Sequence, residues 1–317
     1  MEFTISSRTE NGLAQVILTD PFSHTQVIIL PEYGAMLHAF IIDTANGSQN
    51  IIDNYSSAEE IKKELATSFK SSKLSPFACR IPGGRYQYEG QEFELENKFT
   101  DGTAIHGLLY NKVFKKTESF SDEQKACVAF TYQYKEEDNG YPFYYSCGIR
   151  YTLLPQQTLQ VQTTIINLDD LPIPMTDGWH PYFSLGGKVN DWLLYFGADT
   201  MVEFNDKLVP TGKLLRYDVF NTARAVGDTQ LDNCFLLNGR EGYPACTLRN
   251  EAAGLQVNLF PDASYPYLQI YIPPHRKSIA IENLSAAPNA FNNNMGLLMM
   301  QPRHTHTFTV HYQVSCQ

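Results

Sequence analysis

The stretch YYSCGIRYTLLPQQTLQVQTTIINLDD, residues 144–170, carries the pattern on which the fold turns. It is rich in aromatic and β-branched side chains, which suit the pleated, half-buried surface of a sheet. Residues 144–154 read as one strand and residues 159–166 as a second, with Asn167-Leu168-Asp169-Asp170 as the turn that follows. Working outward, Tyr86 and Tyr88 alternate with polar neighbours, Glu89-Gly90 follows, and Phe93 and Leu95 alternate again. That order predicts a hairpin whose glycine supplies the unusual turn backbone. Residues 255–260, 268–272 and 307–314 read as further strands. One segment is helical in pattern. Ser57-Ala58-Glu59-Glu60 matches a capping box, in which the serine oxygen and Glu60 satisfy early backbone donors. Ile61, Leu65 and Phe69 then recur on one face, which predicts a short helix on a surface connection. Elsewhere, short strands punctuated by Gly, Pro, Asn and Asp imply stacked antiparallel sheets. No low-complexity linker or repeat divides the chain. The expectation is an all-β sandwich of large antiparallel sheets with few short helices, in a single domain over residues 1–317.

Composition narrows the function classes. Apolar residues make up 43% and charged residues 18%, a globular balance. The formal charge of −10 and the scattered basic residues argue against nucleic acid, whose phosphates require clustered Lys and Arg. No stretch approaches the roughly 20 apolar residues of a membrane helix, and the N-terminus lacks the basic start and apolar core of a signal peptide. The six cysteines form no C-x-x-C pair, so zinc-ribbon and thioredoxin-like readings gain no support. Free, largely buried thiols in a reducing, cytoplasmic setting are the expectation. The 19 Tyr and 19 Phe residues first of all pack strands together, and aromatic faces also suit sugar rings.

Four segments hold residues that could carry chemistry: SPFACRIPGGRY at 75–86, IHGL at 105–108, DGWHPYF at 177–183 and SIAIEN at 278–283. Taken singly, each has a structural reading beside the functional one. His106, next to a glycine, fits a structural or exposed histidine as well as a catalytic one. His180 precedes a proline and two aromatics, where a hydrogen-bonded histidine in an aromatic wall is common. Glu282 ends the apolar run Ile279-Ala280-Ile281, and a carboxylate there must be solvated, paired or functional, because unpaired burial is costly. Arg80, between Cys79 and Ile81, suits a ligand contact or a structural salt bridge, and Arg85 suits an ordinary surface charge.

Together, and in this order, the segments resemble the aldose 1-epimerase (galactose mutarotase-like) family. Val209-Pro210-Thr211-Gly212 is similar to a turn of that family, Leu231-Asp232-Asn233-Cys234-Phe235 to its aspartate-then-aromatic segment, and Pro266-Tyr267-Leu268-Gln269-Ile270-Tyr271 to the strand before its catalytic glutamate. The matches span roughly residues 30–315. Two positions depart. Cys79 stands where the family often has asparagine, and Trp179 before His180 looks more like a divergent branch near the hexose-6-phosphate 1-epimerases.

The resemblance implies a galactose mutarotase-like β-supersandwich with a small-molecule sugar in a cleft, and an enzyme that interconverts the α and β anomers of a free aldose without a cofactor. It implies Glu282 as the base at the anomeric hydroxyl and His180 as the acid at the ring oxygen, on either side of C1. His106 would position the sugar, Arg80 and Asp232 would hold ring hydroxyls, and Tyr271 or Trp179 would stack on it. Such chemistry needs an acid and a base poised near neutral pH. Three other readings compete. A hexose 6-phosphate would need cations at the rim, for which Lys73, Arg85, Arg224, Arg249 and Arg276 are candidates. A non-catalytic carbohydrate-binding protein could share the cleft without an acid–base pair. A metal enzyme could use His106, His180 and Glu282, or His304 and His306, although no short ligand motif links them. A glycosidase pairing Asp232 with Glu282 ranks below these. The expected assembly is a monomer or homodimer, with neither nucleic acid nor membrane as a partner.

Overall fold

Residues 158–167 alternate strictly between half-buried and buried side chains, and that alternation builds the largest sheet. In the computed structural model, which describes residues 2–45, 47–239 and 242–316, Tyr144–Leu154 pairs antiparallel with Thr158–Asn167. The latter pairs in turn with Thr305–Cys316 near the C-terminus. These strands lie in a nine-stranded sheet that runs from Lys115–Ser121 to Arg224–Ala225. An eight-stranded sheet is ordered Pro210–Arg216, Ala198–Phe204, Asp232–Leu237, Tyr267–Tyr271, Ile279–Leu284, Gly178–Trp179 and Lys73–Leu74, with Tyr182–Phe183 also paired to Ile279–Leu284. A five-stranded meander of residues 4–50 completes the large sheets. The expected all-β supersandwich is therefore present. Leu255–Pro261 and Thr305–Cys316 extend the expected strands by one or two residues at their ends, and Tyr267–Tyr271 lies one residue earlier than expected, with Ile272 outside it.

The hairpin Arg85–Tyr88/Gln91–Glu94 forms as expected, with Glu89 and Gly90 both at positive φ. The Pro210-Thr211-Gly212 segment differs from expectation. The turn is made by Asn205, whose N–H donates to the Val209 carbonyl, and Pro210–Arg216 is the strand that returns from it.

The helix Ala58–Ser68 is capped by Ser57, whose side chain accepts the Glu60 N–H at 3.2 Å. Glu60 does not close the box on Ser57. Its carboxylate accepts the N–H and hydroxyl of Ser56, and these bonds hold it below the usual carboxylate range. Ala58, Ile61 and Leu65 pack against Leu13, Leu30, Met36 and Tyr110. The helix ends where Phe69 adopts a left-handed conformation. Its last residues turn toward the cleft described next, so this helix does more than cover a surface connection.

Candidate active site

Side-chain alternation on the strand Ile279–Leu284 sorts its residues between two environments. Ile279 and Ile281 join the main core, whereas Leu284 joins a separate apolar group with Leu74, Cys79 and Cys234 on the opposite face. Glu282 has the parity of Leu284 and so faces that way. The register sets Glu282 beside Gln269 and Ala280 beside Tyr271, and Tyr271 lies opposite Asp232 on the next strand. Adjacent strands thus bring Glu282, Gln269, Tyr271 and Asp232 to one face.

His180 reaches the same face from the short strand Gly178–Trp179. Gly178 pairs with Leu284, and a Cβ on it would lie 2.6 Å from the end of the Leu284 side chain and 3.1 Å from the Asn283 carbonyl oxygen, so glycine lets the two strands pack closely without moving Leu284. The His180 backbone is tied down on both sides: its N–H donates to Ser72 O, and its carbonyl accepts from Ser71 N–H. Beneath it lies a buried ion pair. Lys73 Nζ is 2.6 Å from Asp177 Oδ2 and also donates to Gly178 O, and Tyr265 donates to Asp177 Oδ1. Burial nonetheless pushes the Asp177 carboxyl above its ordinary range, against the pull of Lys73.

His106 arrives on a third element. The pair Ala104–Ile105 with Arg80–Ile81 ends in two left-handed residues, His106 at φ 59° and Cys79 at φ 54°, joined by His106 N–H to Cys79 O. A Cβ on Gly107 would fall 2.3 Å from the Ser75 carbonyl oxygen, so only glycine permits this approach. Phe69 packs on the His106 ring at 4.7 Å between centroids.

These elements enclose a cleft of about 200 Å³ whose lining includes Arg80, His106, His180, Asp232, Tyr271 and Glu282. His180 Nε2 is 3.3 Å from Glu282 Oε1, and both side chains are almost fully buried. The His106 ring meets that of His180 edge-on at 4.8 Å, and Tyr182 stacks on the other side of His180 at 5.0 Å. Burial pushes the Glu282 carboxyl well above its ordinary value, and nearby Asp232 pushes the same way while Arg80 opposes. Burial also lowers His180 to about 4 and His106 well below the usual imidazole value. Asp232 is raised by burial, against the pull of Arg80 and a hydrogen bond from Gln269 at 2.8 Å. Buried His106 Nδ1, His180 Nδ1, Gln269 Oε1 and Glu282 Oε2 have no hydrogen-bond partner among the described residues. Orphaned polar atoms converging on one cleft mark it as a place where a polar ligand completes the bonding.

Six of the seven site residues expected from sequence meet here. Trp179 does not. It follows Gly178 on its strand and so points to the opposite face, where its indole N–H donates to Thr163 Oγ1 at 3.2 Å and Lys73 Nζ lies over its ring. A tryptophan one residue from His180 belongs to the core, by the two-residue period of a strand. Sequence reading also left Gln269, Tyr182 and Phe69 without roles, although all three line the cleft. Gln269 was within reach, because it is two residues from Tyr271 on one strand and must share its face. Of the proposed phosphate-binding cations, none lines the cleft. Lys73 is buried with Asp177; Arg85 and Arg249 pair with Glu94 and Glu251; Arg276 donates to Asn190, Gly227 and Thr229; and Arg224 is exposed on an edge strand of the nine-stranded sheet. His304 is exposed, and His306 packs on Phe308. The sulfur of Cys79, a ring nitrogen of His106 and a carboxylate oxygen of Glu282 lie within 4.8 Å of one another, close enough to share a metal ion.

The architecture is that of the galactose mutarotase-like β-supersandwiches. A galactose mutarotase-like protein from Clostridium acetobutylicum superposes with a TM-score of 0.88 over 100% of this chain and 99% of that one, at 16% identity. A galactose 1-epimerase from Lactobacillus acidophilus does so with a TM-score of 0.81 over 100% and 99%, at 21% identity. Residues 15–313 match the aldose 1-epimerase family, and the chain belongs to that family. Among its relatives, the uncharacterized protein YihR of Escherichia coli (strain K12) is 26% identical over 252 residues, covering 77% of this chain and 79% of that one. The bifunctional protein GAL10 of Kluyveromyces lactis is 24% identical over 75% of this chain, which spans only 37% of that longer protein.

Proposed function

We propose that the protein is an aldose 1-epimerase acting on an unphosphorylated aldose, with Glu282 and His180 as its acid–base pair. The observation that carries the reading is the 3.3 Å contact between His180 Nε2 and Glu282 Oε1 at the base of the cleft. Mutarotation moves two protons at one carbon, off the anomeric hydroxyl and onto the ring oxygen. Both oxygens are bonded to C1, so the two groups serving them flank a single carbon, which the neighbouring Glu282 and His180 can do.

Burial favours the neutral pair that ring opening leaves. It raises Glu282 and lowers His180, so the empty pair favours a neutral carboxyl beside a neutral imidazole. Ring opening begins from carboxylate and imidazolium. Glu282 takes the anomeric proton while His180 protonates the ring oxygen, which leaves the neutral pair. Rotation about C1–C2 presents the other face of the carbonyl, and closure returns both protons. The pair holds one proton throughout, so the site titrates as a unit and no cofactor is consumed.

His106 sits against His180 and hydrogen-bonds the sugar near C1. Arg80, Asp232 and Gln269 hold ring hydroxyls, and Tyr271 offers an aromatic face. Among the described residues lining the cleft, Arg80 is the one permanent cation, and it faces the carboxyls of Asp232 and Glu282. That leaves a phosphate without a dedicated partner and favours the free sugar over its 6-phosphate. The five buried free thiols suit a reducing cytoplasm.

The test is anomer exchange, followed by NMR and polarimetry, across free aldoses and their 6-phosphates. Saturable acceleration with a free aldose, insensitive to inorganic phosphate, is expected. Acceleration confined to 6-phosphates would overturn the substrate assignment. Sugar binding without acceleration of any aldose would overturn catalysis and leave a binding protein.

A further inference from the structure

Cys79 is the feature of the cleft that acid–base chemistry leaves unused. Its thiol, a nitrogen of His106 and an oxygen of Glu282 lie within 4.8 Å of one another, and all three residues are buried. On two of these side chains an atom, His106 Nδ1 and Glu282 Oε2, has no hydrogen-bond partner among the described residues, and both side chains line the cleft. We propose that Cys79, His106 and Glu282 form a binding site for a thiophilic divalent cation, with zinc the best match, and that the occupied site is an inhibited one.

The donor set selects the metal. Sulfur, imidazole nitrogen and a single carboxylate suit zinc, whereas magnesium and calcium take shells of oxygen. Zinc bonds of about 2.0 Å to N or O and about 2.3 Å to S place tetrahedral ligand atoms roughly 3.3–3.7 Å apart, so the trio must draw together by about 1 Å. Three protein ligands leave a fourth position, which water from the cleft can fill. Charge balance favours the cluster. A thiolate and a carboxylate around a dication sum to zero, so the metal removes the penalty that burial places on each anion alone. On binding, sulfur, nitrogen and oxygen each donate an electron pair, the thiol proton and the Glu282 carboxyl proton leave to solvent, and nothing is oxidised or reduced.

Inhibition follows from which atoms are taken. A cation on the Glu282 carboxylate holds the electron pair that would accept the anomeric proton, and it draws His106 off the sugar. This half of the proposal rests on the function proposed above, whereas binding itself does not. The ligands sit at positions 79, 106 and 282, a spacing that no linear metal motif reveals. Cys79 also has a left-handed backbone, which asparagine adopts more readily than most side chains, so Cys79→Asn removes the sulfur without straining the loop.

The experiment is a titration of the full chain with Co²⁺, read by thiolate-to-metal charge-transfer absorbance, followed by displacement with Zn²⁺ against a chelating indicator. One equivalent of Co²⁺ with a charge-transfer band is expected. Cys79→Asn should abolish the band and weaken zinc by at least about 10–100-fold, the range that even changes beyond the ligands produce. Cys316→Ser, which removes the exposed thiol, should change neither. Should Cys79→Asn fold poorly, His106→Asn provides the second test and should weaken zinc similarly. Absence of the band in the parent protein, or a band that disappears with Cys316, would overturn the site. Zinc should slow anomer exchange in proportion to occupancy and EDTA should restore it; bound zinc with undiminished exchange would overturn the inhibition. If no aldose is turned over at all, the proposed function fails while the titration still decides the site.

Discussion

Replacing Glu282 with glutamine separates chemistry from folding. The substitution keeps the side chain's volume, so no cavity opens in a strand that is buried along its length. It removes the carboxylate placed 3.3 Å from His180. General acid–base roles contribute about 10²–10⁴-fold, and anomer exchange should fall by that factor. Stability should move the other way. Burial raises the Glu282 carboxyl in the folded protein, so above the ordinary value of 4.5 the folded state holds more protons than the unfolded chain. Parent stability therefore declines as pH rises from there toward the folded value, by about 1.4 kcal/mol for each unit of separation. Glutamine cannot ionise and escapes that decline. Urea unfolding at pH 5 and pH 8 should show Glu282→Gln gaining on the parent as pH rises, and at pH 8 it should be at least as stable. Exchange rates within a few-fold of the parent would refute the assignment of the base. A variant less stable at pH 8 than at pH 5, relative to the parent, would refute the account of burial.

Three further outcomes are expected. His180, held near 4 against an ordinary 6.5, favours its neutral form when folded, so its stabilisation is present above 6.5 and is lost as pH falls toward 4, by about 3 kcal/mol in all; unfolding of Glu282→Gln with and without His180→Asn, free of the opposing carboxyl, should show this acid loss only when the histidine is present. Lys73→Met strands a fully buried Asp177 and should cost about 3–5 kcal/mol by urea unfolding, and a loss below 1 kcal/mol would show the pair contributes little. Arg80→Ala removes the permanent cation of the cleft and should lower kcat/KM by about 10–100-fold, equivalent to the roughly 1.5–3 kcal/mol of a charge-assisted hydrogen bond; an unchanged ratio would mean that Arg80 does not touch the sugar.

Much of the fold was legible in the chain itself, because strand alternation is a local property. The pattern over residues 144–166, the Glu89-Gly90 turn and the Ser57 cap are all decided by neighbours a few positions away; the first two form as the sequence implies, and Ser57 caps the helix although Glu60 turns to Ser56. Residue order also marked Glu282, His180 and His106, since the motifs around them are contiguous. Which face each side chain takes is another matter. Trp179 and His180 are adjacent, yet the pairing of Gly178 with Leu284 turns the first into the core and the second into the cleft. Only the register between Tyr267–Tyr271 and Ile279–Leu284 sets Gln269 beside Glu282, and only the left-handed end of the helix brings Phe69 onto His106. The same holds for charge. A sequence shows five cations that could meet a phosphate, whereas the folded chain engages Lys73, Arg85, Arg249 and Arg276 elsewhere and leaves Arg224 on a sheet edge. Composition and periodicity determine that sheets form and which segments build them; desolvation and proximity, which set a glutamate and two histidines against one another in one buried cleft, exist only once strands distant in sequence have been packed together.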